Sequence, residues 1–268
     1  MQQARVTALR SGSSGNVYLL EDAQSRVVVD CGVNGKQFAA ALAQAEVPED
    51  EISEIQGLVV THEHSDHVCG LGVVMRRYKL PVYMSEGTYK AIYKRLGKVD
   101  HKLINIIKAG EKFSLGNFEI ASFAVSHDAA EPLAYSFYHE RAKVSICTDT
   151  GVVDESIMRE LEGSKIVFLE ANYEPELLEF GPYPYYLKER IRSERGHLSN
   201  QRSGEVCRAL LESGTEFFTL SHLSQQNNFP KIAHLVAKEH ISLDDAEEDR
   251  DFKLLVANRY QVTEAMYF

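Results

Sequence analysis

Residues Thr61-His62-Glu63-His64-Ser65-Asp66-His67 place three imidazoles and the carboxylate of Asp66 within six positions. So many lone-pair donors in one turn are hard to explain except by a divalent metal. The stretch follows the apolar run Gly57-Leu58-Val59-Val60-Thr61, which reads as a buried strand. A helical pattern over residues 68–78 comes after it. Ligands at a strand end, on a loop entering a helix, sit where open α/β sheets place their chemistry.

Other candidate ligands close apolar strands further along. His127 follows Phe123-Ala124-Val125-Ser126, Asp149 follows Ser145-Ile146-Cys147-Thr148, and His222 follows Phe218-Thr219-Leu220-Ser221. Any one alone reads as an ordinary loop residue. Joined to the histidine loop, they form a set of imidazoles and carboxylates without thiolate. Such a set suits Zn²⁺ or Mn²⁺, with Fe²⁺ also admitted. Lowering the pKa of water from 15.7 to about 7 would make a nucleophile at neutral pH without a Ser or Cys. Ser126 and Ser221 are therefore expected to be packing residues.

Apolar residues make up 44% of the 268 and charged residues 25%, as in a soluble globular protein with a large core. The net charge of −10 argues against broad coating of polyanions, although a local basic segment or bound cations could reverse the field at one site. Cys31, Cys69, Cys147 and Cys207 form no CxxC pair and read as reduced core thiols, hence a cytoplasmic setting. No signal-peptide pattern and no membrane-spanning apolar run is visible.

Strands are expected at residues 6–9, 17–20, 26–30, 57–61, 81–84, 133–139, 144–148, 166–171 and 217–220, with more between 102 and 125. Helices are expected at 35–45, 86–96, 154–161, 199–211 and 230–239. Residues 181–195 read as a loop with a short helix, and the acid-rich run 244–251 as a solvated turn. Strands alternate with helices in both halves without a linker. The expectation is one domain over residues 1–268, an α/β four-layer αββα sandwich of two mixed sheets with helices outside.

An early aspartate after a strand, then HxHxDH, then His, Asp and His at later strand ends, resembles the metallo-β-lactamase superfamily over essentially the whole chain. The resemblance implies a pair of divalent metal ions. It assigns His62, His64 and His127 to the first, Asp66, His67 and His222 to the second, and Asp149 as the bridge. It gives Asp30 the task of supporting the histidine loop. Ser11-Gly12-Ser13-Ser14-Gly15-Asn16, Glu170-Ala171-Asn172, Gly196-His197-Leu198-Ser199-Asn200 and Leu220-Ser221-His222-Leu223-Ser224 further resemble the YycJ/WalJ (VicX) subfamily. Its members are regarded as exonucleases acting on DNA from the 5′ end, often linked to two-component signalling.

On that resemblance the expected substrate is DNA, with RNA as a second candidate. Asp66, Asp149 and His197 would carry catalysis. His197 would assist the leaving oxygen, held by Asp66 or Glu170. Lys188, Arg190, Arg192 and Arg195, with Tyr183, Tyr185 and Tyr186, could contact nucleic acid, and the Ser13, Ser14 and Asn16 turn could hold a phosphate. No membrane partner is expected, and oligomeric state is not legible. The alternatives are another hydrolase of the superfamily, on a thioester, lactone or cyclic phosphodiester, or a non-catalytic partner of a two-component system.

Overall fold

A computed structural model describes residues 3–268, the side chain of residue 244 excepted. In chain order the elements are β1 (Arg5–Arg10), β2 (Val17–Glu21), β3 (Arg26–Val29), α1 (Gly35–Gln44), β4 (Gly57–Val59), α2 (Ser65–Val68), α3 (Leu71–Tyr78), β5 (Val82–Met84), α4 (Glu86–Leu96), β6 (Ile104–Ile106), β7 (Lys112–Leu115), β8 (Phe118–Ala124) and β9 (Leu133–His139). There follow β10 (Ala142–Cys147), α5 (Glu155–Leu161), β11 (Ile166–Glu170), α6 (Pro175–Phe180), α7 (Tyr185–Arg192), α8 (Asn200–Glu212), β12 (Phe217–Ser221), α9 (Pro230–Ile241), β13 (Lys253–Val256) and β14 (Met266–Tyr267). The strands make two mixed seven-stranded sheets flanked by helices, the expected α/β class.

Two compact units divide the chain. The first holds residues up to Ala124, Ala129–Arg141 and Asn258–Phe268. Its sheet runs β14-β1-β2-β3-β4-β5-β6, antiparallel as far as β3 and parallel from β3 to β6. An antiparallel ribbon, β7-β8-β9, belongs to the same unit. Phe38, Ala41 and Leu42 of α1, Leu71, Val74, Met75 and Tyr78 of α3, and Ile92 and Leu96 of α4 recur at helical spacing. They bury against Leu19, Val28, Leu58 and Val82 of the strands. Asn34 caps α1 reciprocally with Gln37, which satisfies helix-end N–H groups that would otherwise lack acceptors.

The second unit comprises Val125–Asp128 and Ala142–Ala257. Strands β10-β11-β12-β13 are all parallel. Every residue of β11 is buried, so it reads as an apolar run rather than an alternation. Ser199 accepts from Arg202 N at 3.3 Å and caps α8.

Four features depart from the sequence reading. The pattern over 68–78 is two helices, α2 and α3. Gly70 separates them because its N–H bonds Cys31 O at 3.0 Å, and a Cβ there would lie 2.0 Å from Val33 O. Helix α6, with proline in its first turn, was not anticipated, whereas residues 181–195 hold the expected short helix, α7. The acid-rich run is not only solvated: Glu248 accepts from His234 Nε2 and Lys238 Nζ of α9, both at 2.8 Å. Strands β13 and β14 stand where no strand was anticipated. Among the described residues, no helix is long and apolar enough to cross a membrane.

Gly32 packs against the histidine loop. A Cβ at this position would lie 1.6 Å from Asp66 O and 2.6 Å from Asn16 N, both backbone atoms that cannot swing aside. Gly32→Ala is expected to cost about 3 kcal/mol, the upper end of overpacking penalties, read as a lowered urea midpoint. An unchanged midpoint would show that the loop can shift freely.

Candidate metal centre

In the first unit, β4 ends at Val59 and the chain runs buried through Val60, Thr61 and His62. Asp30, wholly buried at the end of β3, is the anchor. It accepts from Thr61 N at 2.8 Å, from Thr61 Oγ1 at 2.9 Å and from His67 Nδ1 at 2.8 Å. With its proton directed to Asp30, Thr61 Oγ1 accepts from His62 Nδ1 at 3.0 Å. Both imidazoles are thus set in the tautomer that offers Nε2 to a cation. The His62 ring stands 4.6 Å from His64 and 4.1 Å from His67, centroid to centroid. Asp66 Oδ2 lies 3.6 Å from His67 Nε2.

In the second unit, Glu170 at the end of β11 plays the matching part. Its Oε1 accepts from His197 Nδ1 at 2.7 Å and from His222 Nδ1 at 2.9 Å. Its Oε2 accepts from Thr150 N at 2.9 Å and Leu198 N at 3.3 Å. Burial alone would raise this carboxyl, but the two imidazoles hold it below the ordinary glutamate range. His127 donates from Nδ1 to Gly196 O at 3.0 Å. Burial pushes its imidazole below the usual histidine range, against the pull of Asp149, which favours the neutral form a metal requires. Asp149, Glu170, His197 and His222 each bring a ligand atom within 4.8 Å of the others.

The donors fit a hard or borderline divalent cation in chemistry as well as in number. They are imidazole nitrogens and carboxylate oxygens. The neighbouring Cys147 thiol is buried and pushed far above its ordinary range, so it stays protonated. Three of the strand-end residues also share a backbone feature. Asp30, Asp149 and His222 have φ of 61°, 57° and 56°, the left-handed region that non-glycine residues enter at a cost.

Such an arrangement on two mixed sheets can be compared with known proteins. The sequence profile of the beta-lactamase superfamily domain matches residues 25–223. The chain belongs to this superfamily. Within it, 253 residues are 37% identical to exodeoxyribonuclease WalJ of Streptococcus pneumoniae, covering 93% of each chain. Exodeoxyribonuclease YycJ of Bacillus anthracis is 37% identical over 229 residues, 85% of this chain and 86% of that protein. The crystal structure of YhfI from Bacillus subtilis, a metallo-β-lactamase fold protein, superposes with a TM-score of 0.74 at 16% identity, each chain covered fully. These similarities place the chain in the YycJ/WalJ branch and establish the metallo-β-lactamase fold.

The substrate-contact candidates fare differently from the ligands. Ser13 and Ser14 are exposed, and Ser14 Oγ accepts from Arg259 Nη1 at 3.4 Å. The Asn16 backbone N–H, which the turn would offer to a phosphate, donates to Asp66 O at 2.8 Å. The residue is fully buried, its Oδ1 accepts from Gly12 N at 2.9 Å, and its Nδ2 lies 3.3 Å from Asp66 O and 3.1 Å from His67 Nε2. It braces the histidine loop instead. The basic residues of α7 and its exit are engaged within the protein. Lys188 bonds Glu179 O, Arg190 pairs with Asp128, Arg192 pairs with Glu179, and Arg195 donates to His127 O at 3.2 Å. Tyr183 Oη donates to Gln226, while Tyr185 and Tyr186 are exposed.

Three residues at the site were given no role from sequence: Thr61 and Asn172, quoted only within motifs, and Asp128. Thr61 relays Asp30 to His62, and Asn172 Nδ2 donates to His222 O at 2.9 Å. Asp128 lies 3.4 Å from His127 Nε2 and carries the Arg190 ion pair. Adjacency to a candidate histidine was the available signal for Thr61 and Asp128. Glu170→Gln is expected to weaken Zn²⁺ or Mn²⁺ binding by about 10–100-fold, measured by competition with a chelating indicator. Unchanged affinity would show that this carboxylate does not orient the imidazoles.

Proposed function

We propose that the protein is a dinuclear metal-dependent phosphodiesterase that degrades DNA from the 5′ end. Support comes from the two YycJ/WalJ relatives, both named exodeoxyribonucleases, and from the histidine and carboxylate sets of the two units. The motif order and the superfamily pattern assign His62, His64 and His127 to one ion, Asp66, His67 and His222 to the other, and Asp149 to both. When bound, two divalent cations would supply Lewis acidity toward phosphoryl oxygens and lower the pKa of water to about 7. Zn²⁺ and Mn²⁺ suit the donors best. The whole chain is read as one functional domain, acting in the cytoplasm on DNA and, as a second substrate, RNA.

The observation that carries the reading is the shared carboxylate of Glu170. It fixes His222, a proposed ligand, and His197, which is partly exposed, through the same oxygen. His197 Nδ1–H is held by Glu170, so Nε2 is the nitrogen available to substrate. Hydrolysis adds water oxygen to phosphorus and breaks the bond to the departing nucleotide oxygen, which needs a proton. His197 gives it from Nε2 as the imidazolium, and is left neutral with its Nδ1–H still on Glu170. The Thr150 and Leu198 N–H groups keep Glu170 ionised through this transfer. Lys188, Arg190, Arg192 and Arg195 would meet the nucleic-acid backbone only by exchanging their present acceptors.

End-labelled DNA, offered to protein stripped of metal and then resupplied with Mn²⁺ or Zn²⁺, tests the reading. Degradation should vanish on stripping and return with the ion. His197→Ala should lower turnover by about 10²–10⁴-fold, the usual contribution of a positioned acid, while metal content stays at the wild-type level. Equal turnover would remove His197 from the chemistry, and inertness toward DNA with both ions would remove the nuclease reading.

A further inference from the structure

The residues between Leu71 and Lys108 carry nine Lys and Arg against two carboxylates, in a chain with 29 basic and 39 acidic side chains. The segment spans α3, β5, α4, β6 and the two residues after it, all within the first unit. Resting on the nuclease reading above, we propose that the α3–α4 face is the surface on which DNA docks before entering the site.

Four observations carry it. First, the cations are outside and available. Thr88, Ile92 and Leu96 bury one face of α4, whereas Lys90 and Lys94 lie on the opposite, exposed side, followed by exposed Lys98 and Lys102. Among the described residues, no carboxylate lies within ion-pair distance of Lys94, Lys98 or Lys102. Lys90, Arg76, Arg77 and Arg95 have protein acceptors, as the basic residues of α7 do, so Lys94, Lys98 and Lys102 are the cations offered to a strand.

Second, the face is joined to the ligand loop. Arg95 Nη1 of α4 donates to Glu63 O at 3.0 Å, the carbonyl between His62 and His64. Third, Arg76 and Arg95 flank a small cleft of about 100 Å³ floored by Val68, Cys69 and Gly72, just beyond His67. Arg76 is held there by Leu96 O at 2.7 Å.

Fourth, aromatic rings accompany the charges. Tyr93 is 50% exposed and stacks on His101 with centroids 5.1 Å apart and planes 22° apart, while Tyr89 Oη lies 3.1 Å from His101 Nδ1. Cations tracking a backbone, with flat rings beside them, are what a nucleic-acid strand needs. An anionic membrane would also meet lysines. Continuity with the histidine loop favours the polyanion whose phosphodiesters that loop would serve.

The test is binding of a short duplex with phosphorothioate terminal linkages, titrated against salt, by wild type and by Lys94→Gln/Lys98→Gln/Lys102→Gln. Each lost phosphate contact should make the slope of log K against log salt shallower by about 1, so by about 3 for the triple variant. Hydrolysis of bis(4-nitrophenyl) phosphate, too small to reach the face, should be unchanged. An unchanged DNA slope with normal cleavage overturns the docking surface and leaves the nuclease reading intact. If wild type cleaves neither DNA nor the small diester, the nuclease reading falls whatever the slope shows. Loss of binding to phosphatidylserine vesicles with an unchanged DNA slope would assign the face to a membrane and overturn the inference.

Discussion

A buried carboxylate beneath the imidazoles is the constraint on which the candidate ligand set of each unit depends. An isolated ionised carboxylate cannot be buried without a large penalty. Asp30 and Glu170 are both fully buried, and both meet that penalty with donors drawn from the site itself. The two differ in how completely they do so. Glu170 has two imidazoles and two backbone N–H groups, and is held below the ordinary range. Asp30 has one imidazole and one threonine, and burial leaves it raised. A cation bound on the histidines would favour the ionised form of either. Folding and metal affinity are therefore coupled through the same oxygens.

This arrangement also explains why the imidazoles are ordered without relying on ligand contacts. Each Nδ1–H of His62, His67, His127, His197 and His222 has a fixed oxygen facing it. The tautomer is set by the fold. The left-handed backbone at Asp30, Asp149 and His222 belongs to the same design. Each comes at or just after the end of a parallel strand, where an extended path would carry the chain away from the edge. A conformation costing about 1–3 kcal/mol persists there because neighbouring bonds over-determine it, such as Asp30 N to Val59 O at 2.9 Å.

Much of this was legible in the order of residues. Helix α4, capped by Ser85, and strand β9 fall at the expected limits. Polar residues directly after apolar strands marked His127, Asp149 and His222. What escaped detection depended on partners far away in sequence. Asn16 reads as part of a phosphate-holding turn, yet Gly32 brings it against Asp66 and buries it. Arg190 reads as free because Asp128 lies 62 residues from it along the chain. Strand β14 is two residues long and takes its register from β1 at the other end of the protein.

Net charge misleads for a related reason. A total of −10 describes the field far from the molecule. At physiological salt the Debye length is about 8 Å, so a bound polyanion senses the groups it touches and little else. On the α3–α4 face those groups are Lys90, Lys94, Lys98 and Lys102, with Arg76 and Arg95 beside the histidine loop. Glu86 pairs with Lys90 at 2.8 Å, and Asp100, which accepts from Lys102 N at 3.1 Å, is the one other carboxylate of the segment, so the face stays net positive. Under the docking proposal, the acidic remainder of the surface would work toward selectivity. It would repel strands that approach elsewhere, while the short screening length keeps it from opposing one that arrives at α4.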